Sequence, residues 1–110
     1  ATSTAVTVTP LRFNWSPGVV KVWLYYEDVA GTPTNRASLN VTSLTDSGVG
    51  IVGINYTTAF STANYGAGKG QSSEAGELTS PAAGSISFRT RNAAGTSIDA
   101  NGWFMASGDQ

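Results

Sequence analysis

Residues 36–65 read RASLNVTSLTDSGVGIVGINYTTAFSTANY, and this segment carries the pattern that predicts the fold. Apolar side chains at Ala37, Leu39 and Val41 alternate with polar ones. A period of two is typical of a strand with one buried face. After a polar interruption the alternation resumes over Val49–Thr58. The segment therefore predicts two antiparallel strands joined as a β-hairpin.

The turn of this hairpin is predicted at Thr45-Asp46-Ser47-Gly48. An aspartate early in a tight turn accepts a hydrogen bond from the backbone N–H two residues on, and glycine tolerates the exit geometry. Asp46 and Gly48 are therefore interpreted as structural turn residues.

Strands and loops alternate along the rest of the chain. Further strands are predicted at Ala5–Thr9, Val19–Glu27, Tyr65–Gly70, Ser85–Arg91 and Trp103–Ser107. Predicted loops are Asp28–Asn35, Ala59–Tyr65, Gln71–Gly84 and Asn92–Gly102. Apolar residues recur nowhere at helical spacing beyond a single turn. The sequence thus predicts one all-β domain over residues 1–110, an antiparallel sandwich or jelly-roll-like fold of six to eight strands.

Composition narrows the range of partners. A chain of 110 residues buries only about two-thirds of the surface that its unfolded form exposes, so its core is expected to be thin. Charged residues make up 12% of the chain, about half the usual fraction, and 6 basic residues face 7 acidic ones. Nucleic-acid binders need clustered lysine and arginine. DNA and RNA are therefore not expected as partners.

Several kinds of chemistry are excluded by residue type. The chain has no cysteine and no histidine, which removes disulfides, thiolate metal sites and the commonest general base. The aspartates at positions 28, 46 and 99 lack the spacing of a calcium loop. No apolar run reaches the roughly 18 to 20 residues that span a bilayer, and the opening ATSTAVTVTP lacks a signal-peptide layout. We expect no metal, no cofactor and no membrane partner.

Aromatic residues mark a candidate interaction surface. The predicted strand Val19–Glu27 carries Lys21, Trp23, Tyr25 and Glu27 on one face. This face suits either a strand covered by another sheet or subunit, which we favour, or a flat platform for sugars. The candidate interaction residues are Trp15, Trp23, Tyr25 and Trp103. The sugar-binding interpretation also counts Tyr26 and Tyr65.

An enzymatic function has little support in the sequence. Glu27 and Asp28 would supply half of a glycosidase carboxylate pair, but their expected partners lie in glycine-rich loops that would hold them loosely. The run Gly66-Ala67-Gly68-Lys69-Gly70 lacks the full phosphate-loop pattern. We therefore predict a protein that is not an enzyme and has no catalytic residues.

The hairpin segment also resembles a module of small structural and tail-fibre proteins of tailed bacteriophages, particularly marine ones. The family pattern is R-A-S-x-N-V-S-S-I-T-D-N-G-x-G, followed by N-F-T-T-A and A-N-Y. The matching residues are Arg36-Ala37-Ser38, Asn40 to Gly48, Gly50, Asn55 to Ala59 and Ala63-Asn64-Tyr65. Ser47 stands where the family usually has asparagine, and Ile51–Ile54 replaces a segment with tyrosine and valine.

The resemblance implies a location more than a reaction. It implies a non-enzymatic virion protein on the particle surface, as capsid decoration or as part of a fibre or knob, with other virion proteins and copies of itself as partners. Because the core is thin and charges are few, a homo-oligomer is expected, and a trimer is the form we favour. Residues 1–18 lie outside the match and are interpreted as an attachment strand. The alternative function is adhesion to a host surface glycan.

Overall fold

The computed structural model describes residues 19–110, which form eight β-strands. The strands are β1 (Val20–Val29), β2 (Thr32–Leu39), β3 (Val41–Gly48), β4 (Ile51–Tyr56), β5 (Gly66–Gln71), β6 (Ala75–Ala82), β7 (Ser85–Arg91) and β8 (Gly102–Ser107). The predicted all-β class is confirmed, at the upper limit of the predicted strand number. The predicted strand Ala5–Thr9, the attachment segment 1–18 and Trp15 lie outside the described residues.

The strands form two antiparallel sheets of four strands each. Sheet I has the order β2-β1-β8-β5, and sheet II has the order β3-β4-β7-β6. The connections β1–β2, β3–β4 and β6–β7 are hairpins within one sheet, whereas the other connections cross from one sheet to the other. The two sheets pack face to face as a β-sandwich.

Alternate residues of the four central strands fill the space between the sheets. The buried apolar residues are Val22, Leu24, Tyr26, Val52, Ile54, Tyr56, Phe60, Ile86, Phe88, Phe104 and Ala106. The alternation within Ser85–Arg91 predicts that Ile86, Phe88 and Thr90 face inward. This prediction is confirmed, because all three residues are buried. Across the sandwich, the rings of Tyr26 and Phe88 meet edge to face with centroids 5.8 Å apart. The inward side chains of the central strands thus form the core, and their outward side chains lie on the outer faces of the sandwich.

The chain changes sheets in the middle of a segment that the sequence predicts as one strand. Asn40 has a φ of 61°, and it separates β2 in sheet I from β3 in sheet II. Asparagine tolerates this left-handed conformation better than most residues. Its side-chain amide also donates to the carbonyl of Thr58 and accepts from the N–H of Thr58, at 3.0 and 2.6 Å. The prediction of one strand through Ala37, Leu39 and Val41 is therefore wrong.

The β3–β4 hairpin exists, but its turn lies at Val49-Gly50. Asp46 lies inside β3, and its carboxylate accepts only a long hydrogen bond, 3.4 Å, from the N–H of Gly48. The predicted turn at 45–48 is wrong, because the turn depends on Gly50, which has a φ of 70° and donates its N–H to Asp99 at 2.9 Å. Gly48 ends β3 opposite Ile51.

Two predicted loops are edge strands instead. The segment 28–35 contains only a two-residue turn at Ala30-Gly31, and β2 begins just after it. Most of the segment 71–84 forms β6, with a bulge after Thr79. Both strands contain proline, which an edge strand accommodates because one side of its backbone makes no ladder hydrogen bonds. The proline and the small polar residues of both segments are typical of loops, and the loop predictions that rest on them are wrong.

Candidate binding face

The outer face of sheet I carries an exposed row of large apolar side chains. Trp23 on β1 lies opposite Leu39 on β2 and opposite Met105 on β8, and Met105 lies opposite Gly68 on β5. The exposed fractions are 39% for Trp23, 43% for Leu39 and 55% for Met105. Directly opposed residues of antiparallel strands point to the same face. These residues therefore form one continuous apolar row across the sheet.

A second row lies beside the first. Tyr25 on β1 lies opposite Ala37 on β2 and Trp103 on β8, and Trp103 lies opposite Gly70 on β5. The rings of Tyr25 and Trp103 stack with centroids 5.2 Å apart and planes inclined by 25°. Trp103 remains 46% exposed.

The two rows create a ridge beside a groove. We call the side chains of Trp23, Tyr25, Trp103 and Met105 the aromatic ridge; a shallow apolar cleft lies among them. Next to the ridge, the outward positions of β5 are all glycine, so the surface drops to bare backbone. We call the surface along Gly66, Gly68 and Gly70 the glycine groove; it is bordered by Val20, Met105 and Trp103. Sheet I thus offers a stepped outer face with few polar side chains.

A polar network borders the ridge at Tyr25. The Tyr25 hydroxyl donates to one carboxylate oxygen of Glu27 at 2.6 Å, and Nε of Arg36 donates to the other at 2.7 Å. The hydrogen bond from Tyr25, followed by that from Arg36, lowers the pKa of Glu27. The same bond raises the pKa of Tyr25. A general acid needs a raised pKa, so Glu27 is poorly suited to protonate a leaving group.

Of the predicted interaction residues, Trp23, Tyr25 and Trp103 come together on the ridge. Tyr26 is 1% exposed inside the core, so it offers no platform to a sugar. Tyr65 stacks on Phe60 with centroids 4.2 Å apart, and its hydroxyl lies 2.9 Å from that of Tyr56. Counting Tyr26 as a sugar platform was therefore wrong, whereas Tyr65 packs against the core and is only partly buried.

Lys21 does not share the outer face of β1, contrary to the predicted alternation. A bulge between Val20 and Val22 changes the register, and Lys21 is 1% exposed. Its ammonium group donates to the backbone carbonyl of Gly108. The ridge therefore has no lysine at its centre and stays apolar.

Sequence reasoning missed Met105 and the glycine groove. The alternation within Trp103–Ser107 places residues 103 and 105 on one face, and this signal was available. The groove depends on β5 lying beside β8, and nothing local in the sequence indicates that pairing.

The Asp99 carboxylate and the Asp28 backbone make hydrogen bonds within the fold. The Asp99 carboxylate accepts the N–H of Gly50, while the backbone N–H of Asp28 donates to the side chain of Asn101 at 3.0 Å. Over residues 19–110, no group of three or more acidic side chains is placed to hold a metal ion. In the same range, the structure contains no helix of the length and hydropathy that a bilayer crossing requires.

Comparison with known proteins returned no matching family model, no matching curated protein and no matching solved structure. The outer face of sheet I is the part of the described structure that best indicates a function. That face has the properties of a contact surface, because it is apolar and rich in aromatic side chains.

Proposed function

We propose that the protein is a non-enzymatic structural component of a tailed-phage virion. It lies on the particle surface, as capsid decoration or as part of a fibre or knob, and works by associating with copies of itself and with other virion proteins. The observation that carries the proposal is the aromatic ridge, where two rows of apolar side chains are exposed on one face. The resemblance of residues 36–65 to phage structural proteins supports the virion location.

The composition of the ridge supports a protein partner. The centres of protein interfaces are depleted of charge and enriched in tryptophan, tyrosine and methionine. Trp23, Trp103 and Met105 are 39%, 46% and 55% exposed, which is costly for a surface that stays in water. Association of copies through the ridge would bury these side chains. We favour a trimer, because a thin core leaves each copy with apolar surface to share.

Native mass measured over a range of concentrations tests self-association. The wild-type chain is expected to form a stable oligomer, and Met105→Ser is expected to shift it toward monomer, because the substitution removes apolar contact area from the ridge. Val49→Ser is the matched control, since Val49 is 62% exposed at the β3–β4 turn, away from the ridge. A wild-type chain that stays monomeric and fails to bind purified virions would overturn the proposal.

Adhesion to a host glycan is the second candidate. Tyr25 stacks on Trp103 while its hydroxyl contacts Glu27, so an aromatic surface lies beside paired polar groups. Sugar sites combine these two elements, with rings for the apolar sugar face and polar groups for the hydroxyls.

Binding to host cells, and competition with phage adsorption, test this second candidate. If it is right, Arg36→Gln reduces cell binding and leaves the native mass unchanged, because Arg36 contacts Glu27 and lies outside the ridge. A protein that neither binds host cells nor blocks adsorption would exclude adhesion.

A further inference from the structure

The outer face of sheet II is polar, in contrast to that of sheet I. Val52, Ile54 and Phe88 are buried, so the residues that alternate with them point away from the core. Directly opposed residues of neighbouring strands share a face. The outward residues form three rows across the sheet: Ser43, Asn55 and Ser85; Thr45, Gly53, Ser87 and Thr79; Ile51, Arg89 and Glu77. Hydroxyl, amide and charged groups therefore cover most of this face.

Two arginines share one carboxylate at the end of this face. Arg89 and Arg91 lie two residues apart on β7 and point to the same side of the sheet. Nη2 of Arg91 donates to Oε1 of Glu77 on β6, whereas Nη1 of Arg89 lies 4.0 Å from the same oxygen. Nε of Arg89 donates instead to the hydroxyl of Ser97 at 2.8 Å. The cluster thus carries two positive charges and one negative charge.

Most hydrogen-bond donors of this cluster have no protein acceptor. Within residues 19–110, Glu77 is the only acidic residue that lies within 4.0 Å of either guanidinium. Each guanidinium has five N–H groups, and Nε of Arg91 is buried with no partner in the same range. The side chains of Arg89 and Arg91 are 37% and 32% exposed, so part of each is open to a ligand. A further oxyanion would balance the charge of the cluster.

We propose that Arg89 and Arg91 bind the carboxylate or sulfate groups of an acidic polysaccharide on the outer face of sheet II. A guanidinium donates two parallel N–H bonds to such an oxyanion. The protein as a whole has a net charge of −1, so attraction of a polyanion requires a local excess of positive charge such as this one.

The surroundings of the arginines favour a sugar over an acidic protein. Ser87 precedes Arg89 by two residues on β7, and its row continues with the hydroxyls of Thr45 and Thr79. Hydroxyl and amide groups of a protein fix the hydroxyls of a bound sugar. The centre of a protein interface is apolar and aromatic, whereas Ile51 is the one large apolar side chain in the three rows.

The polar face lies on the opposite side of the sandwich from the aromatic ridge. Association of copies through sheet I therefore leaves the arginines exposed. The inference goes beyond the proposed function and does not depend on it, because the binding is a property of each copy. It also differs from adhesion through the ridge, since it uses different residues and requires an acidic sugar.

Binding of the full chain to immobilised polysaccharides tests the proposal. The probes are alginate, which carries carboxylates, dextran sulfate, and neutral dextran. The wild type is expected to bind one or both acidic probes and not dextran, and the preferred probe identifies the oxyanion. Arg91→Gln should weaken binding about tenfold, because it removes charge-assisted hydrogen bonds.

Lys69→Gln is the matched control, since it removes one positive charge from β5 in the other sheet. It should leave the affinity almost unchanged. Binding to neither acidic probe would overturn the proposal. An equal loss in Lys69→Gln and Arg91→Gln would also overturn it, because the attraction of the polyanion would then be non-specific.

Glu77→Gln gives a second test with the opposite sign. It removes the carboxylate that competes for Arg91, so binding to the acidic probe should become several-fold tighter. Asp46→Asn makes the same change in net charge on β3, at the opposite edge of sheet II, and should have a smaller effect. Melting curves show whether each variant is folded. If Glu77→Gln bound no more tightly than Asp46→Asn, the ion pair would be purely structural and the proposal would be overturned.

Discussion

Gly102 on β8 lies directly beneath the ring of Tyr26 on β1, so closely that a Cβ at residue 102 would lie 2.5 Å from Cε1 of that ring. The two residues are opposite each other in the register, and Tyr26 is fully buried. The absence of a side chain at residue 102 therefore creates the space that the largest core side chain of β1 occupies. Gly102 thus makes room for a core side chain, whereas the outward-facing glycines of β5 leave backbone exposed on the outer face of sheet I.

Gly102→Ala is expected to lower the free energy of unfolding by about 1–3 kcal/mol, because the added methyl group overpacks the Tyr26 ring. Urea denaturation measures the change. Gly84→Ala is the control: its Cβ would lie 4.0 Å from Ala59, so a change within about 0.5 kcal/mol is expected. Equal stability of both variants would show that β8 moves away from Tyr26 at little cost.

Tyr26→Phe is expected to leave the protein as stable as the wild type or more stable. The Tyr26 hydroxyl is buried and has no hydrogen-bond partner among residues 19–110, and burial, followed by the charge of Asp28, raises its pKa. Removing an unsatisfied buried hydroxyl relieves a desolvation penalty of about 1–3 kcal/mol.

Tyr56→Phe is the matched comparison for that experiment. The Tyr56 hydroxyl lies 2.9 Å from that of Tyr65, and the loss of this bond is expected to cost about 0.5–1.5 kcal/mol. Urea denaturation of the two variants and of the wild type measures both changes in the free energy of unfolding. If Tyr26→Phe cost as much as Tyr56→Phe, the Tyr26 hydroxyl would have a partner outside the described residues.

Asp99 is expected to stabilise the β3–β4 hairpin more than Asp46 does, although the sequence pattern indicated Asp46 as the turn residue. Asp99 accepts the N–H of Gly50 at 2.9 Å in a partly buried position, whereas Asp46 accepts an exposed N–H at 3.4 Å. Asp99→Ala should lower the free energy of unfolding by about 1–3 kcal/mol, because it leaves that N–H unsatisfied. Asp46→Ala should change it by less than about 0.5 kcal/mol. Thermal or urea unfolding of both variants decides the order, and the reverse order would contradict the assigned turn.

Acid is expected to weaken the contact between Glu27 and its partners. The pKa of Glu27 is lowered from its ordinary value of 4.5, first by the Tyr25 hydroxyl and then by Arg36. A carboxyl group with a lowered pKa stabilises the fold fully above its unfolded value, and this stabilisation is lost as the pH falls through the lower, folded value. Glu27→Gln should therefore reduce the loss of stability below about pH 4.5.

The measurement is a series of melting temperatures from pH 7 down to pH 3. Glu74→Gln, in the exposed turn between β5 and β6, is the control and should keep the wild-type dependence on pH. If the two variants had the same pH profile, the Glu27 contacts would contribute nothing to stability.

The alternation of side chains was enough to predict the class of fold and much of its core. In β7, Ile86, Phe88 and Thr90 are buried as predicted. In β1, Leu24 is buried on the face opposite the exposed Trp23. The reason is local: a strand with one face against a core must place apolar residues at every second position. This constraint is visible in any single strand.

The edges of the sheets were harder to predict. Pro33 lies in β2 and Pro81 lies in β6, and both segments looked like loops. Whether such a segment becomes a strand depends on a neighbour that supplies hydrogen bonds along one side, and here β1 and β7 are those neighbours. Local composition carries no information about them.

The candidate binding face combines both kinds of information. Periodicity alone placed Trp23 beside Tyr25, because both lie on one strand two residues apart. The position of Trp103 on the Tyr25 ring, and of bare glycine backbone beside Met105, follows from the pairing of β1 with β8 and of β8 with β5. These strands are distant along the chain, and their order results from the packing of all eight strands around one core. Cross-strand register is a property of the assembled sheet. The sequence of one strand therefore does not determine it, and only the tertiary structure does.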